Sequence, residues 1–135
     1  MTFIDANIVV RFVTGDNPDK AARCLALFER VSSGEESLVL THASVAEVVY
    51  VLSSPKHYQA TRTQVRDALL PILALPGVHI AERRVVQRAL DLFVSDPALD
   101  FEDALVAAHC LDADVAVYSY DRDLDRVPGI RRLEP

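Results

Sequence analysis

Short apolar runs alternate along this chain with longer segments of helical spacing. Thr2 to Ile4 reads as a short buried strand that runs straight into Asp5, and a helix follows through about Phe12. Thr14-Gly15-Asp16-Asn17-Pro18 is a turn, with Asn17 placed as an N-cap and Pro18 at the first helical position. Ala21, Leu25, Phe28 and Val31 then space like one helix face, which Ser33-Gly34 ends. Leu38-Val39-Leu40 is a second strand, and Thr41 or His42 opens a nearly all-apolar helix through Leu52. After the loop Ser53-Ser54-Pro55-Lys56, the stretch from Arg62 to about Ala74 is helical, with a kink or break expected at Pro71. Val78-His79-Ile80 is a third strand and Arg84 to Val94 a further helix, which Ser95-Asp96-Pro97 breaks. Phe101 to Leu111 is helical, Ala113 to Tyr118 reads as a buried strand, and Arg131-Arg132-Leu133 adds a short edge strand.

Strands that alternate with helices predict an α/β fold with a largely parallel sheet. The length of 135 residues suits one domain over 1–135. In such sheets ligands bind at the carboxyl ends of the strands. Asp5 falls just after the first strand and Asp121 just after the strand ending at Tyr118, so both are expected at the same functional edge.

Composition narrows the chemistry. Half of the residues are hydrophobic and a quarter charged, which supports a substantial core. The net charge of −6 argues against a protein that coats nucleic acid, although it leaves room for a nuclease with a local basic rim. Arg83, Arg84 and Arg122 are candidates for phosphate contact, as are Arg88, Arg126, Arg131 and Arg132; solvated surface positions account for most such arginines. Cys24 and Cys110 show no Cys-x-x-Cys spacing, which points to two reduced thiols in a cytoplasmic protein. The N-terminus lacks the charged and apolar regions of a signal peptide, and no run approaches membrane-span length.

Four carboxylates stand out because each sits at the edge of apolar sequence: Asp5, Glu47, Asp103 and Asp121. A charge in such a place must be paired, solvated or bound to a metal. Each has a plain structural explanation. Asp5 caps a helix, Glu47 lies on an exposed stripe, Asp100 with Asp103 forms a helix start, and Asp121 with Asp123 and Asp125 makes a solvated turn. Jointly those explanations become improbable. Converging carboxylates repel one another and call for a divalent cation, with Mg²⁺ and Mn²⁺ preferring such oxygen ligands. An EF-hand is excluded, since Arg126 and Arg132 occupy the positions that need Gly and Glu. His42, His57, His79 and His109 show no metal spacing, and neither a Walker loop nor a Gly-x-Ser-x-Gly elbow occurs. Asp5-Ala6-Asn7 lacks the second Asp of an aspartyl-phosphate phosphatase.

In order along the chain, Phe3-Ile4-Asp5-Ala6-Asn7-Ile8, Val45-Ala46-Glu47-Val48-Val49, Asp103-Ala104-Leu105-Val106 and Ser119-Tyr120-Asp121-Arg122-Asp123-Leu124 form an ordered set. The sequence resembles the PIN-domain ribonucleases, and more closely the VapC-type toxins of toxin–antitoxin pairs. The resemblance implies a three-layer α/β/α sandwich with a five-stranded sheet and Mg²⁺- or Mn²⁺-dependent endoribonuclease activity. It maps the family's acidic residues onto Asp5, Glu47, Asp103 and Asp121, with Asp123 as an extra member, Ser119 as the polar residue beside the last motif and Asn7 orienting Asp5. It further implies a homodimer silenced by an antitoxin. Leu124 stands where the family commonly has Phe. Two other functions compete: a catalytically weak RNA-binding PIN domain, and a structure-specific DNA nuclease of the same fold. The apolar segments Ala68–Leu75 and Ala43–Leu52 are independently expected to leave a patch for a dimer contact.

Overall fold

Helix caps and strand edges set the element boundaries. The computed structural model describes residues 1–135, which pack as two compact units, Met1–Arg83 and Arg84–Pro135. In the first unit the order is β1 (Thr2–Phe3), α1 (Ala6–Thr14), α2 (Pro18–Ser32), β2 (Leu38–Leu40), α3 (His42–Ser53), α4 (Arg62–Ala74) and β3 (Val78–Ile80). The three strands form a parallel sheet in the order β1-β2-β3, with Thr2 opposite Leu38 and Leu38 opposite Val78. Parallel strands need crossovers, and the helices between them provide these.

Local chemistry explains each start and stop. The Asp5 carboxylate accepts from the Ala6 N–H at 2.6 Å, and Gly15 closes α1 in the left-handed conformation (φ 63°) with its N–H on the Arg11 carbonyl. Asn17 caps α2 by accepting from the Lys20 N–H, with Pro18 at the first position as expected. Thr41 caps α3. Thr61 and Gln64 form a reciprocal capping box on α4. A polar clamp ties the turn after α1 to the loop after α3. The Tyr58 hydroxyl donates to the Asp16 carboxylate, which also accepts from Arg11 at 2.8 Å. These bonds, Tyr58 first and Arg11 second, hold the Asp16 carboxyl below the usual carboxylate range.

The second unit contains α5, which begins at the boundary (Arg83–Ser95), α6 (Phe101–Ala113), β4 (Val117–Tyr118), a short 3₁₀ helix (Arg122–Arg126) and β5 (Arg132–Leu133). β4 and β5 pair in parallel as a separate two-stranded sheet. Leu99, Ala107, Leu124 and Val127 are buried together, with Leu92, Leu111, Val117 and Ile130 packed against them. Leu124, where the resemblance would have Phe, is a buried member of this cluster.

Several expectations need correction. The α/β class holds, but the strands pair as three and two rather than as one five-stranded sheet. The expected strand from Ala113 to Tyr118 shrinks to Val117–Tyr118, because α6 runs on through Ala113 and ends at Asp114, a left-handed cap (φ 53°). That stretch is not buried either: Val115 is half exposed and Tyr118 is 70% exposed. Pro71 does not break α4, since Leu69, Ile72 and Leu73 are buried on both sides of it while Pro71 itself faces solvent. The same burial removes most of the apolar surplus expected from Ala68–Leu75. What remains is the rim of an apolar groove of about 530 Å³, where Pro71 and Leu75 meet Phe12, Leu25 and Phe28.

Gly77 sits where chain segments approach too closely for a side chain. A Cβ there would lie 2.8 Å from Val31 Cγ1 and 3.1 Å from the Val31 carbonyl oxygen, and Val31 is itself buried. The Gly77 carbonyl accepts from the Leu38 N–H at 2.8 Å, so displacing it disturbs the entry into β2. Gly77→Ala is expected to destabilise the fold by about 1–3 kcal/mol through overpacking. A urea midpoint equal to that of the unsubstituted protein would show that Val31 yields freely.

Candidate active site

The second unit brings two of the predicted carboxylates together. Asp103 lies in the first turn of α6, and Asp121 caps the 3₁₀ helix that follows β4. The Asp100 carboxylate caps α6 by accepting from the Asp103 N–H at 2.8 Å. The Asp103 side chain is half-buried, and its carboxyl lies within hydrogen-bonding reach of those of both Asp100 and Asp121. Burial first, then the charge of Asp100 and that of Asp121, push the Asp103 carboxyl up to about 6. The sequence reading took Asp100 as a cap only. It is also the stronger of the two electrostatic neighbours of Asp103, and its spacing of three residues on a helix start was the available signal.

Backbone bonds hold Asp121 in place. Its N–H donates to the Ser119 Oγ at 3.0 Å, and its carboxylate accepts from the Asp123 N–H at 2.9 Å. Ser119, the predicted supporting residue, thus fixes the turn from which Asp121 projects. Asp123 is half-buried one turn away. On the other side of Ser119, its carbonyl accepts from Arg132 Nη1 at 2.9 Å, while the same guanidinium pairs with Asp125 and Glu134. Arg132 is therefore a structural tie between β5 and the end of β4. Arg131 is likewise engaged, by the side chain and carbonyl of Asp114.

In the first unit, Asp5 is exposed at the carboxyl end of β1, with Asn7 exposed in the first turn of α1. Glu47 is exposed on α3, on a stripe with Ala43 and Tyr50, and α3 packs on α1. His42, at the start of α3, donates from Nε2 to the Ala81 carbonyl at 2.6 Å, linking the carboxyl ends of β2 and β3. His42, expected with Thr41 to open this helix, is its first residue, and its position just after β2 marks that edge. Of the arginines proposed for phosphate contact, Arg83 spends a donor on the Val78 carbonyl and is half-buried, whereas Arg84 and Arg122 are exposed.

Half-buried Asp103, with the Asp100 and Asp121 carboxyls beside it, offers hard oxygen donors short of positive charge. That donor set suits Mg²⁺ or Mn²⁺. The fold and this acidic pair define an α/β protein whose candidate chemistry is that of a carboxylate-held cation. The chain belongs to the PIN-domain family, whose model matches residues 2–130. It is similar to VapC ribonuclease Mb1869c of Mycobacterium bovis and to ribonuclease VapC13 of Mycobacterium tuberculosis. Each is 30% identical to it over 134 residues, covering 98% of this chain and 99% of the relative. No helix is long and apolar enough to cross a membrane.

The raised Asp103 carboxyl makes stability depend on pH. Its folded-state value lies above the ordinary 3.8, so the folded protein takes up the proton more readily than the unfolded chain. The resulting stabilisation is complete below about pH 3.8 and is lost as pH rises through about 6. With chelator present, the melting temperature is expected to fall across that window, and Asp103→Asn is expected to flatten the change. Mn²⁺ is expected to raise the melting temperature above pH 7. That shift should shrink as protons compete below about pH 6. Equal melting curves with chelator and with Mn²⁺ at pH 7.5 would remove the metal from this site.

Proposed function

We propose that this protein is a metal-dependent endoribonuclease and the toxin of a type II toxin–antitoxin pair, acting in the cytoplasm as one nuclease domain over residues 1–135. The observation that carries this reading is the approach of Asp121 to half-buried Asp103 in a chain similar along its whole length to VapC ribonucleases. Asp5, Glu47, Asp103 and Asp121 are the catalytic carboxylates, with Asp123 as an additional ligand. Mg²⁺, or Mn²⁺ in its place, would be held by these groups and when bound would supply an activated water and charge neutralisation at the phosphate. Asn7 orients Asp5, and Ser119 fixes the turn that carries Asp121. Arg122 and Arg84, exposed and cationic, are the residues best suited to RNA phosphates, with Arg83 in a lesser role.

A catalytically weak RNA-binding PIN domain fits less well, because all four acidic positions are present. A structure-specific DNA nuclease of this fold fits less well too, because the relatives similar along the whole chain are named as ribonucleases. The partners in this reading are RNA, a second copy of the chain and a cognate antitoxin that blocks the acidic site.

Asp103→Asn and Asp5→Asn remove a negative charge while nearly keeping shape. Each is expected to lower RNA cleavage by more than about a hundredfold, since even outer-shell partners of a metal cost about 10–100-fold. Growth inhibition on expression should disappear with it, the fold being retained by circular dichroism. Asp125→Asn, at an exposed ion pair with Arg132, should stay close to the unsubstituted enzyme. Near-normal cleavage by folded Asp103→Asn would return that residue to a capping role. Light scattering is expected to give twice the 14.9 kDa chain mass, and a clean monomer would refute the dimer.

A further inference from the structure

Unit 2 holds two aromatic rings that its own packing does not use. From Val117 to Asp121 exposure alternates: Val117, Ser119 and Asp121 are half-buried, whereas Tyr118 and Tyr120 are each 70% exposed. This is the period of an extended chain running off the end of β4. The inward members are engaged. The Ser119 N–H donates to the Leu133 carbonyl, its Oγ accepts from Asp121, and Asp121 approaches Asp103. The outward members are left to solvent. Scattered exposed apolar residues are ordinary. Two tyrosines spaced by two, ending one residue before a candidate catalytic carboxylate and followed by exposed Arg122, are a local cluster at the site.

The charge of this protein makes such rings useful. Nucleic-acid affinity usually comes from cations on phosphates. Here the chain carries −6, and Asp100 and Asp121 crowd Asp103 at the candidate site, with Asp123 two residues beyond Asp121. An RNA strand therefore needs a source of affinity that is not electrostatic. Stacking of bases on aromatic rings supplies one, tolerates any sequence, and requires unpaired bases. Tyr120 and Asp121 are adjacent, about 3.8 Å between Cα atoms. Tyr118 lies roughly 7 Å further back along extended chain. Measured along the chain, both lie within about one or two nucleotide lengths of Asp121, on the outward face of the strand.

We propose that Tyr118 and Tyr120 form a stacking platform for unpaired bases of an RNA strand whose phosphodiester lies at Asp103 and Asp121. The proposal rests on the ribonuclease reading above. It makes the platform a binding element of limited sequence preference, specific for single strands over duplex.

The test uses the full-length protein and a fluorescently labelled, random-sequence single-stranded RNA pool. Cleavage of the pool with Mg²⁺, lost in Asp103→Asn, first establishes the ribonuclease reading. Tyr118→Ala combined with Tyr120→Ala is then expected to raise KM by about five- to a hundredfold, with a smaller change in kcat. The corresponding double Phe variant is expected to restore KM, because stacking needs the ring and not the hydroxyl. Binding should depend only weakly on salt, and duplex RNA should compete poorly. An unchanged KM in a double Ala variant that still cleaves overturns this proposal and leaves the ribonuclease reading intact. A double Ala variant that loses its dimer mass while keeping its KM assigns the rings to a subunit contact and overturns it too. A protein that neither binds nor cleaves the pool with Mg²⁺ or Mn²⁺ overturns both.

Discussion

The crowding of Asp100, Asp103 and Asp121 is the constraint on which the rest of the second unit depends. Two carboxyl groups are held close to that of Asp103 by backbone that has other reasons to be there. Asp100 must cap α6, Asp103 belongs to its first turn, and Asp121 must cap the 3₁₀ helix. Each cap satisfies N–H groups that would otherwise lack partners, a gain of about 1 kcal/mol apiece. The helix dipole also favours negative charge at the start of α6. The repulsion is then a by-product of favourable local chemistry, and with burial it holds the Asp103 carboxyl above its ordinary value.

The same economy appears on the far side of the turn. Arg132 pairs with Asp125 and Glu134 and donates to the Ser119 carbonyl, with little of its side chain exposed. Its charge is thereby spent on holding β4, β5 and the 3₁₀ helix together, and it neutralises acidic residues that lie beyond the crowded pair. Arg132 spends its donors on Asp125, Glu134 and the Ser119 carbonyl, and the excess negative charge of Asp103 and Asp121 is left for a ligand. A structural cation beside a catalytic cluster would defeat it; a structural cation one turn away stabilises the frame and leaves the cluster acidic.

Much of this was legible in the sequence, and the limits have physical causes. The caps at Asn17, Thr41 and Asp100 follow from residue type, because each supplies a side-chain oxygen to nearby N–H groups. The placing of Asp5 and Asp121 after strands followed from chain order. What failed was strand length and pairing. A two-residue strand such as Val117–Tyr118 has no period to read, and Ala113 suits a helix end as well as a strand start. The exposure of Tyr118 was invisible for the same reason, since an apolar run looks buried until its neighbours are known. Pro71 misled because burial of Leu69, Ile72 and Leu73 holds the helix across it, overriding a local preference. The joint action of Asp103 and Asp121 could be suspected from the sequence. The part of Asp100 was hinted at by its three-residue spacing to Asp103 at a helix start, but its strength comes from the half-burial of Asp103, which the sequence does not display.

These features bear on how an acidic protein could act on a polyanion. If the carboxylates bind a cation, the site's sign at the phosphate changes only when that cation is present, so binding of RNA and of metal become linked. Without the cation, Asp103 and its acidic neighbours Asp100 and Asp121 would repel phosphate. With it, local charge falls while the net charge of the chain stays negative, so long-range attraction remains weak and contact at short range must decide which strands stay. Short-range contact here means the exposed rings before Asp121 and the arginine after it. Such an enzyme would ignore most nucleic acid it meets and hold only strands able to present unpaired bases at the moment the metal is in place.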